Sequence, residues 1–181
     1  SAVQLEDQEA PKRCGHELGR RIVGPDEMIG RIKAAVDARA DGNFQIIART
    51  DARTSPGLEA AIERGARYAD AGAELVFVES PEGEEEMRTL CSRLGAKVPL
   101  MANMVEGGRT PLIPAAVLQD IGYRLVIFPN AMTRLFAKAG ADLMSELKAK
   151  GTTAAYLDRM LGHKELWSLF ESETWLSLES G

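Results

Sequence analysis

Cysteine and histidine occur only twice each in the 181 residues. Cys14 and Cys91 stand far apart in different surroundings. That excludes a disulfide framework and leaves a reducing cytoplasm as the default compartment. No apolar run approaches the ~20 residues a membrane helix needs. Ser1–Glu9 has no cationic start followed by an apolar core, so a signal peptide is not expected in this segment. A basic excess is also missing. The 22 Lys plus Arg against 27 Asp plus Glu give a net charge of −5, which disfavours a general nucleic-acid binder. Neither nucleic acid nor membrane is an expected partner. There is no low-complexity stretch, no Ser/Gly linker, no P-loop and no Rossmann GxGxxG. What remains is ordinary globular composition, 45% hydrophobic and 27% charged, with length enough for one sizeable core.

The positive signal is an alternation. Five short β-rich runs, Ala2–Glu6, Phe44–Arg49, Leu75–Glu79, Val98–Asn103 and Arg124–Phe128, are apolar on both faces, as parallel strands covered by helices must be. Helix-patterned segments follow them. Pro25–Arg39 starts with Pro at its first position and places Met28, Ile32 and Val36 on one face. Leu58–Ala71 ends before Gly72, Glu84–Leu94 before Gly95, Ala115–Ile121 before Gly122 and Ala131–Lys150 before Gly151. Thr152–Ser180 reads as two more helices carrying Trp167, Phe170 and Trp175. The predicted fold is α/β with a parallel sheet and right-handed crossovers. Two architectures compete, an open doubly wound sheet and part of a (β/α)8 barrel, which typically takes ~250 residues. The expected organisation is barrel-type units over 1–151 and a helical tail over 152–181. Ala2 already reads as strand, so further sequence is expected upstream.

The strand ends carry the chemistry. They are Glu6-Asp7-Gln8, Arg49-Thr50-Asp51, Glu79, Asn103 leading to Glu106-Gly107-Gly108, and Pro129-Asn130. In either architecture these C-terminal ends converge on one rim, which is where ligands bind. Polar residues end most strands for ordinary reasons, but five ends in a row, with an arginine inside a β-run, favour a site. After the first strand, residues 8–21 lack apolar periodicity and exceed the usual connection of 2–6 residues. This segment holds Lys12, Arg13, Cys14, Gly15, His16, Arg20 and Arg21. Neighbouring cations favour a thiolate. A long glycine-containing cationic loop at this rim has the character of a lid over an anionic substrate. Cys14-x-His16 is too sparse for zinc. Cys91 lies on an apolar helix face and reads as core. His163 reads as decoration of a tail helix, Gly107-Gly108 as a turn, and Glu82–Glu86 as a solvated helix start.

Lys12-Arg13-Cys14-Gly15-His16 resembles the K-[KR]-C-G-H lid signature of the isocitrate lyase and phosphoenolpyruvate mutase superfamily. The resemblance extends in order through Leu5-Glu6-Asp7-Gln8, Ala48-Arg49-Thr50-Asp51, Phe77-Val78-Glu79 and Ala102–Pro111, and covers about Ala2 to Leu178. It implies a (β/α)8 TIM-type barrel of which this chain is about the last five β-α units. It implies Mg2+ (or Mn2+) as cofactor, with the main aspartate ligands expected upstream of Ser1 and Glu6 contributing through water. The lid cysteine marks the carbon–carbon lyases of that superfamily, of the 2,3-dimethylmalate and 2-methylisocitrate lyase kind. The implied activity is cleavage of a 2-hydroxy di- or tricarboxylate to a 2-oxo acid and a carboxylate.

By the same resemblance, Cys14, Arg49 and His16 are the catalytic candidates, with Cys14 protonating the departing carbanion. Lys12, Gly15, His16, Arg49, Asn103, Glu106 and Pro129 would bind substrate, and Asp51 and Glu79 would shape the pocket. The tail resembles the family's swapped C-terminal helix and implies a homodimer or homotetramer. Same-fold alternatives are an oxaloacetate decarboxylase or a phosphonate mutase. A different class is an inactive half-barrel used only in assembly, and a flavodoxin-like binding domain stands behind these.

Overall fold

A computed structural model describes residues 1–14 and 19–179, so the lid candidates Gly15 and His16 lie outside the described residues. Five parallel strands, β1 (Ala2–Glu6), β2 (Gln45–Thr50), β3 (Leu75–Val78), β4 (Leu100–Asn103) and β5 (Leu125–Ile127), pair in sequential order. A doubly wound sheet reverses its strand order, and this one does not. The sheet is the curled part of a (β/α)8 barrel. Helices α1 (Pro25–Ala38), α2 (Leu58–Asp70), α3 (Glu84–Leu94) and α4 (Ala115–Ile121) fill the crossovers. β4 starts at Leu100 rather than Val98. Pro99 has no N–H to give the ladder, and only its carbonyl joins in, accepting Val76 N–H at 3.0 Å.

Each strand sends alternate residues toward the helices. Val76, Val78, Leu100 and Ala102 pack with Ile62, Met87, Leu90, Leu94 and Leu118 in one buried cluster. Ile46, Ala48 and Tyr68 pack with Met28 and Ile32 in a second. Burial of each large aliphatic side chain contributes on the order of 1.5–3 kcal/mol. Gly65 lets α2 settle on its neighbours, because a Cβ there would stand 3.0 Å from Leu94 Cδ1 and 3.2 Å from Val76 Cγ1. Gly72 and Gly122 take φ of +110° and +122° after α2 and α4, conformations that only glycine adopts without strain. Cys91 is buried as expected, and desolvation pushes its thiol up to about 11.

The chain divides into two compact units, Ser1–Ala131 and Met132–Gly181. The second holds nearly all of α5 (Ala131–Lys150), a 3-10 turn (Ala154–Arg159), α6 (His163–Leu169) and α7 (Ser172–Glu179). His163 is the exposed first residue of α6. Trp167, Phe170 and Trp175 are all well exposed. Among the described residues, no helix is long and apolar enough to cross a membrane.

Candidate active site

The parallel register places Glu6 beside Arg49 and Arg49 beside Phe77. Arg49 therefore emerges near the C-terminal rim with its guanidinium over the Phe77 ring, 5.2 Å from the centroid. Its Nε and Nη2 donate to Asp51 Oδ2 and Oδ1, both at 3.0 Å. Nη2 also meets Glu79 Oε2 at 3.1 Å, and Nε lies 3.5 Å from Glu6 Oε2. Burial alone would lower the Arg49 pKa. The Asp51 hydrogen bonds and the charges of Glu79, Asp51 and Glu6 outweigh it and hold the guanidinium above its ordinary value. No hydrogen bond among the described residues takes up Nη1, so one edge of a fixed, charged fork remains for an anion.

Behind this fork lies a buried knot centred on Asp7, which is fully buried. Oδ2 accepts from Thr50 Oγ1 at 2.7 Å, Tyr68 O–H at 2.8 Å and Arg64 Nη1 at 3.0 Å. Oδ1 accepts the Asp51 N–H at 2.9 Å. Burial first, and then the Asp7 charge, raise the Tyr68 pKa, so the phenol stays protonated and donates. Glu79 is buried too, and its Oε1 accepts from Ser80 Oγ at 3.1 Å. Ser80 holds a φ of 61°, a strained value for a non-glycine residue.

The cationic segment is rooted by a short antiparallel pairing. Val23 N–H donates to Asp7 O at 2.8 Å, Glu9 N–H to Arg21 O at 2.9 Å, and Gln8 bridges Ile22. Gln8 also turns the chain by exchanging side-chain hydrogen bonds with the Arg13 backbone at 3.0 and 2.9 Å. Lys12 folds back onto Glu6 at 2.9 Å but remains largely exposed. Arg20 runs inward and bonds Asp51 at 2.7 Å.

Among the sequence candidates, Glu6, Lys12, Arg49, Asp51 and Glu79 thus come together. Cys14 is exposed, and no bond brings it to Arg49. Asn103, Glu106 and Pro129 stand at the same end of the sheet, but no bond of Arg49 reaches them. Asn103 Oδ1 is buried without a hydrogen-bond partner among the described residues, a polar atom left for a ligand.

The acidic run is more than a solvated cap. Arg53 forks onto Glu86 at 2.8 and 2.5 Å and meets Glu82 at 2.9 Å, while Arg109 meets Glu82 at 3.0 Å. These bonds tie three rim loops together. The Arg53 hydrogen bonds hold the Glu86 carboxyl below its usual range.

Sequence reasoning named Asp7, Arg20 and Thr50 at the rim but gave them no role of their own, and it missed Arg64, Tyr68 and Ser80. Arg64 and Tyr68 share a helix face by their i,i+4 spacing. That was the one available signal, and it does not reveal Asp7 as their common partner.

A divalent cation fits these residues poorly. No group of three His, Cys, Asp or Glu able to hold an ion occurs among the described residues. Asp7, Asp51 and Glu79 are buried and already satisfied by donors. These residues do not by themselves make a metal site, and no step below passes through one.

A family profile described as phosphoenolpyruvate phosphomutase matches residues 1–148. The 2,3-dimethylmalate lyase of Eubacterium barkeri is 49% identical over 175 residues, covering 96% of this chain and 59% of that protein. A probable 2-methylisocitrate lyase of Corynebacterium glutamicum is 43% identical over 173 residues, covering 96% and 56%. A crystal structure of 2,3-dimethylmalate lyase, a member of the PEP mutase/isocitrate lyase superfamily, superposes with a TM-score of 0.88 at 34% identity, covering 99% of this chain and 60% of that one. A phosphonopyruvate hydrolase solved with oxalate and Mg2+ gives 0.80 at 26% identity, covering 99% and 62%. The chain spans just over half the length of the curated relatives it matches.

Proposed function

This chain belongs to the phosphoenolpyruvate phosphomutase family within the PEP mutase/isocitrate lyase superfamily, and from that premise we propose that it carries the arginine and cysteine side of a carbon–carbon lyase site. The substrate class is a 2-hydroxy di- or tricarboxylate, and the products are a 2-oxo acid and a carboxylate. The observation that carries this reading is Arg49, a buried guanidinium locked on one edge and unengaged at Nη1. Its open edge suits a substrate carboxylate or the oxyanion that develops as the 2-hydroxyl becomes a carbonyl. That change passes the hydroxyl proton to solvent, which afterwards returns a proton to the Cys14 sulfur. The electron pair of the broken carbon–carbon bond stays on the carbon beside the other carboxylate, and the Cys14 thiol gives that carbon a proton. Lys12, held loosely by Glu6, is available to the remaining carboxylate, and the Asn103 amide, whose Oδ1 has no partner among the described residues, can donate to it through Nδ2.

The relatives lend support, since 2,3-dimethylmalate and 2-methylisocitrate are both 2-hydroxy acids of this class. A divalent cation in the working site would need ligands that the described residues do not provide, with Glu6 meeting it through water. Replacing Cys14 by serine tests the proposal against the decarboxylase and mutase alternatives. Release of 2-oxo acid from 2,3-dimethylmalate or 2-methylisocitrate should fall about 10²- to 10⁴-fold, the typical worth of a positioned proton donor. Unchanged turnover in the Cys14→Ser protein would remove the lyase reading.

The same reading takes 1–151 as the barrel part and 152–181 as a tail that packs on a second copy, giving a homodimer or homotetramer. The exposed Trp167, Phe170 and Trp175 support it, because such large apolar side chains usually mark a contact surface. Sedimentation equilibrium should show an oligomer that Trp167→Glu with Trp175→Glu dissociates. A wild-type monomer at all concentrations would refute this.

A further inference from the structure

We infer that Arg20 is a positioning residue for Arg49: acting through Asp51, it fixes the fork and keeps its surroundings open to an anion. The inference rests on the reading of Arg49 as the carboxylate-binding group. Arg20 touches no reacting atom in this arrangement. It follows the cationic loop and precedes α1, with its side chain only 2% exposed. Nη1 donates to Asp51 Oδ1 at 2.7 Å, and Nη2 donates to Thr54 Oγ1. The Asp51 side chain is fully buried and also receives Nε and Nη2 of Arg49. One carboxylate therefore bridges two arginines, one from the root of the loop and one from β2.

Charge explains why the second arginine is needed. Glu6, Asp51 and Glu79 all lie within 3.5 Å of Arg49. Three carboxylates around one guanidinium would repel a dicarboxylate. Lys12 and Arg20 restore balance, but they are not equivalent. Lys12 has 61% side-chain exposure, so water and salt screen it, whereas Arg20 acts from a buried position where screening is weak. Geometry adds to this. With Asp51 held by Arg20 on one side and by the Asp7 knot through its N–H, the carboxylate plane is set. Arg49 must then present Nε and Nη2 to it and leave Nη1 outward.

The test is calorimetric titration of oxalate, with and without Mg2+, into the wild-type protein and its Arg20→Met, Arg20→Gln and Arg20→Lys variants. Urea midpoints are recorded alongside. Groups that orient a ligating side chain are typically worth about 10- to 100-fold, so Arg20→Met and Arg20→Gln should weaken oxalate at least about tenfold. Arg20→Lys, which keeps the buried charge, should restore it to within about threefold. Glutamine can still donate to Asp51. If Arg20→Met fails to fold, Arg20→Gln carries the test, with its urea midpoint separating lost stability from lost affinity. Wild-type affinity in Arg20→Gln overturns this inference and leaves the proposed function standing. No oxalate uptake by the wild-type protein overturns both.

Discussion

Replacing Asp7 by alanine is expected to destabilise the chain by about 3–5 kcal/mol, the usual cost of removing one partner from a buried ion pair. That is a large share of the ~5–15 kcal/mol that holds a domain together. Four donors lose their acceptor at once: Thr50 Oγ1, the Asp51 N–H, Tyr68 O–H and Arg64 Nη1. Within the set only Arg64 has another member to donate to, the Tyr68 hydroxyl at 3.2 Å. The Thr50 hydroxyl, which also accepts the Ala52 N–H at 3.2 Å, donates to Asp7 and to no other acceptor among the described residues. Arg64 would keep only neutral partners, the Val23 carbonyl and Tyr68. Asparagine is isosteric but does not solve the problem. Its amide nitrogen must face either the Asp51 N–H or the three donors at the other oxygen. Asp7→Asn should therefore still cost roughly 2–4 kcal/mol. Urea unfolding would measure both variants. A midpoint for Asp7→Asn matching wild type would mean that the knot contributes nothing.

This knot also marks the boundary of what the sequence could show. The βα alternation was readable because both elements have strong local periodicity. β1, α3, α4 and α5 fall on their predicted bounds, and the other elements up to Lys150 shift by only one or two residues, while the tail expected as two helices holds a 3-10 turn besides. The rim was readable because strand ends in a parallel sheet converge whatever the sequence between them. Arg49 could be identified because an arginine inside an apolar run is costly without a purpose. Pairings across 31 to 61 positions were not readable. Asp7 reaches Tyr68, and Asp51 reaches Arg20, only once the sheet has brought their elements together. Arg20 was one cation among several in its loop, and nothing local separates an inward arginine from an outward one. The acidic start of α3 misled for the same reason. Dipole arguments use α3 alone, while the partners of Glu82 and Glu86 come from the loops after β2 and β4. Local chemistry sets the elements and non-local chemistry sets the site.

The Arg49→Met substitution should abolish oxalate binding and also destabilise the fold, without touching the acid-side loss of stability. In the wild-type protein, carboxyls such as Glu86 are held below their usual range by a partner, in this case chiefly by the Arg53 hydrogen bonds. Protonation then favours the unfolded chain, and that stability is present above about pH 4.3 and lost as the pH falls further. The Arg49→Met variant leaves that contribution in place and removes a different one. Asp51 keeps Arg20 and Glu6 keeps Lys12. Among the described residues, Glu79, 2% exposed, keeps only the Ser80 hydroxyl. A buried carboxylate stripped of its cation is costly, about 3–5 kcal/mol when one partner of a buried pair is removed. Urea unfolding of Arg49→Met at pH 7 should show a loss of that order. The double variant Arg49→Met with Glu79→Gln should recover much of it, because the carboxylate left without its cation is gone. A double variant no more stable than Arg49→Met would show that Glu79 is not held by Arg49, and that the three-carboxylate arrangement does not depend on the guanidinium at its centre.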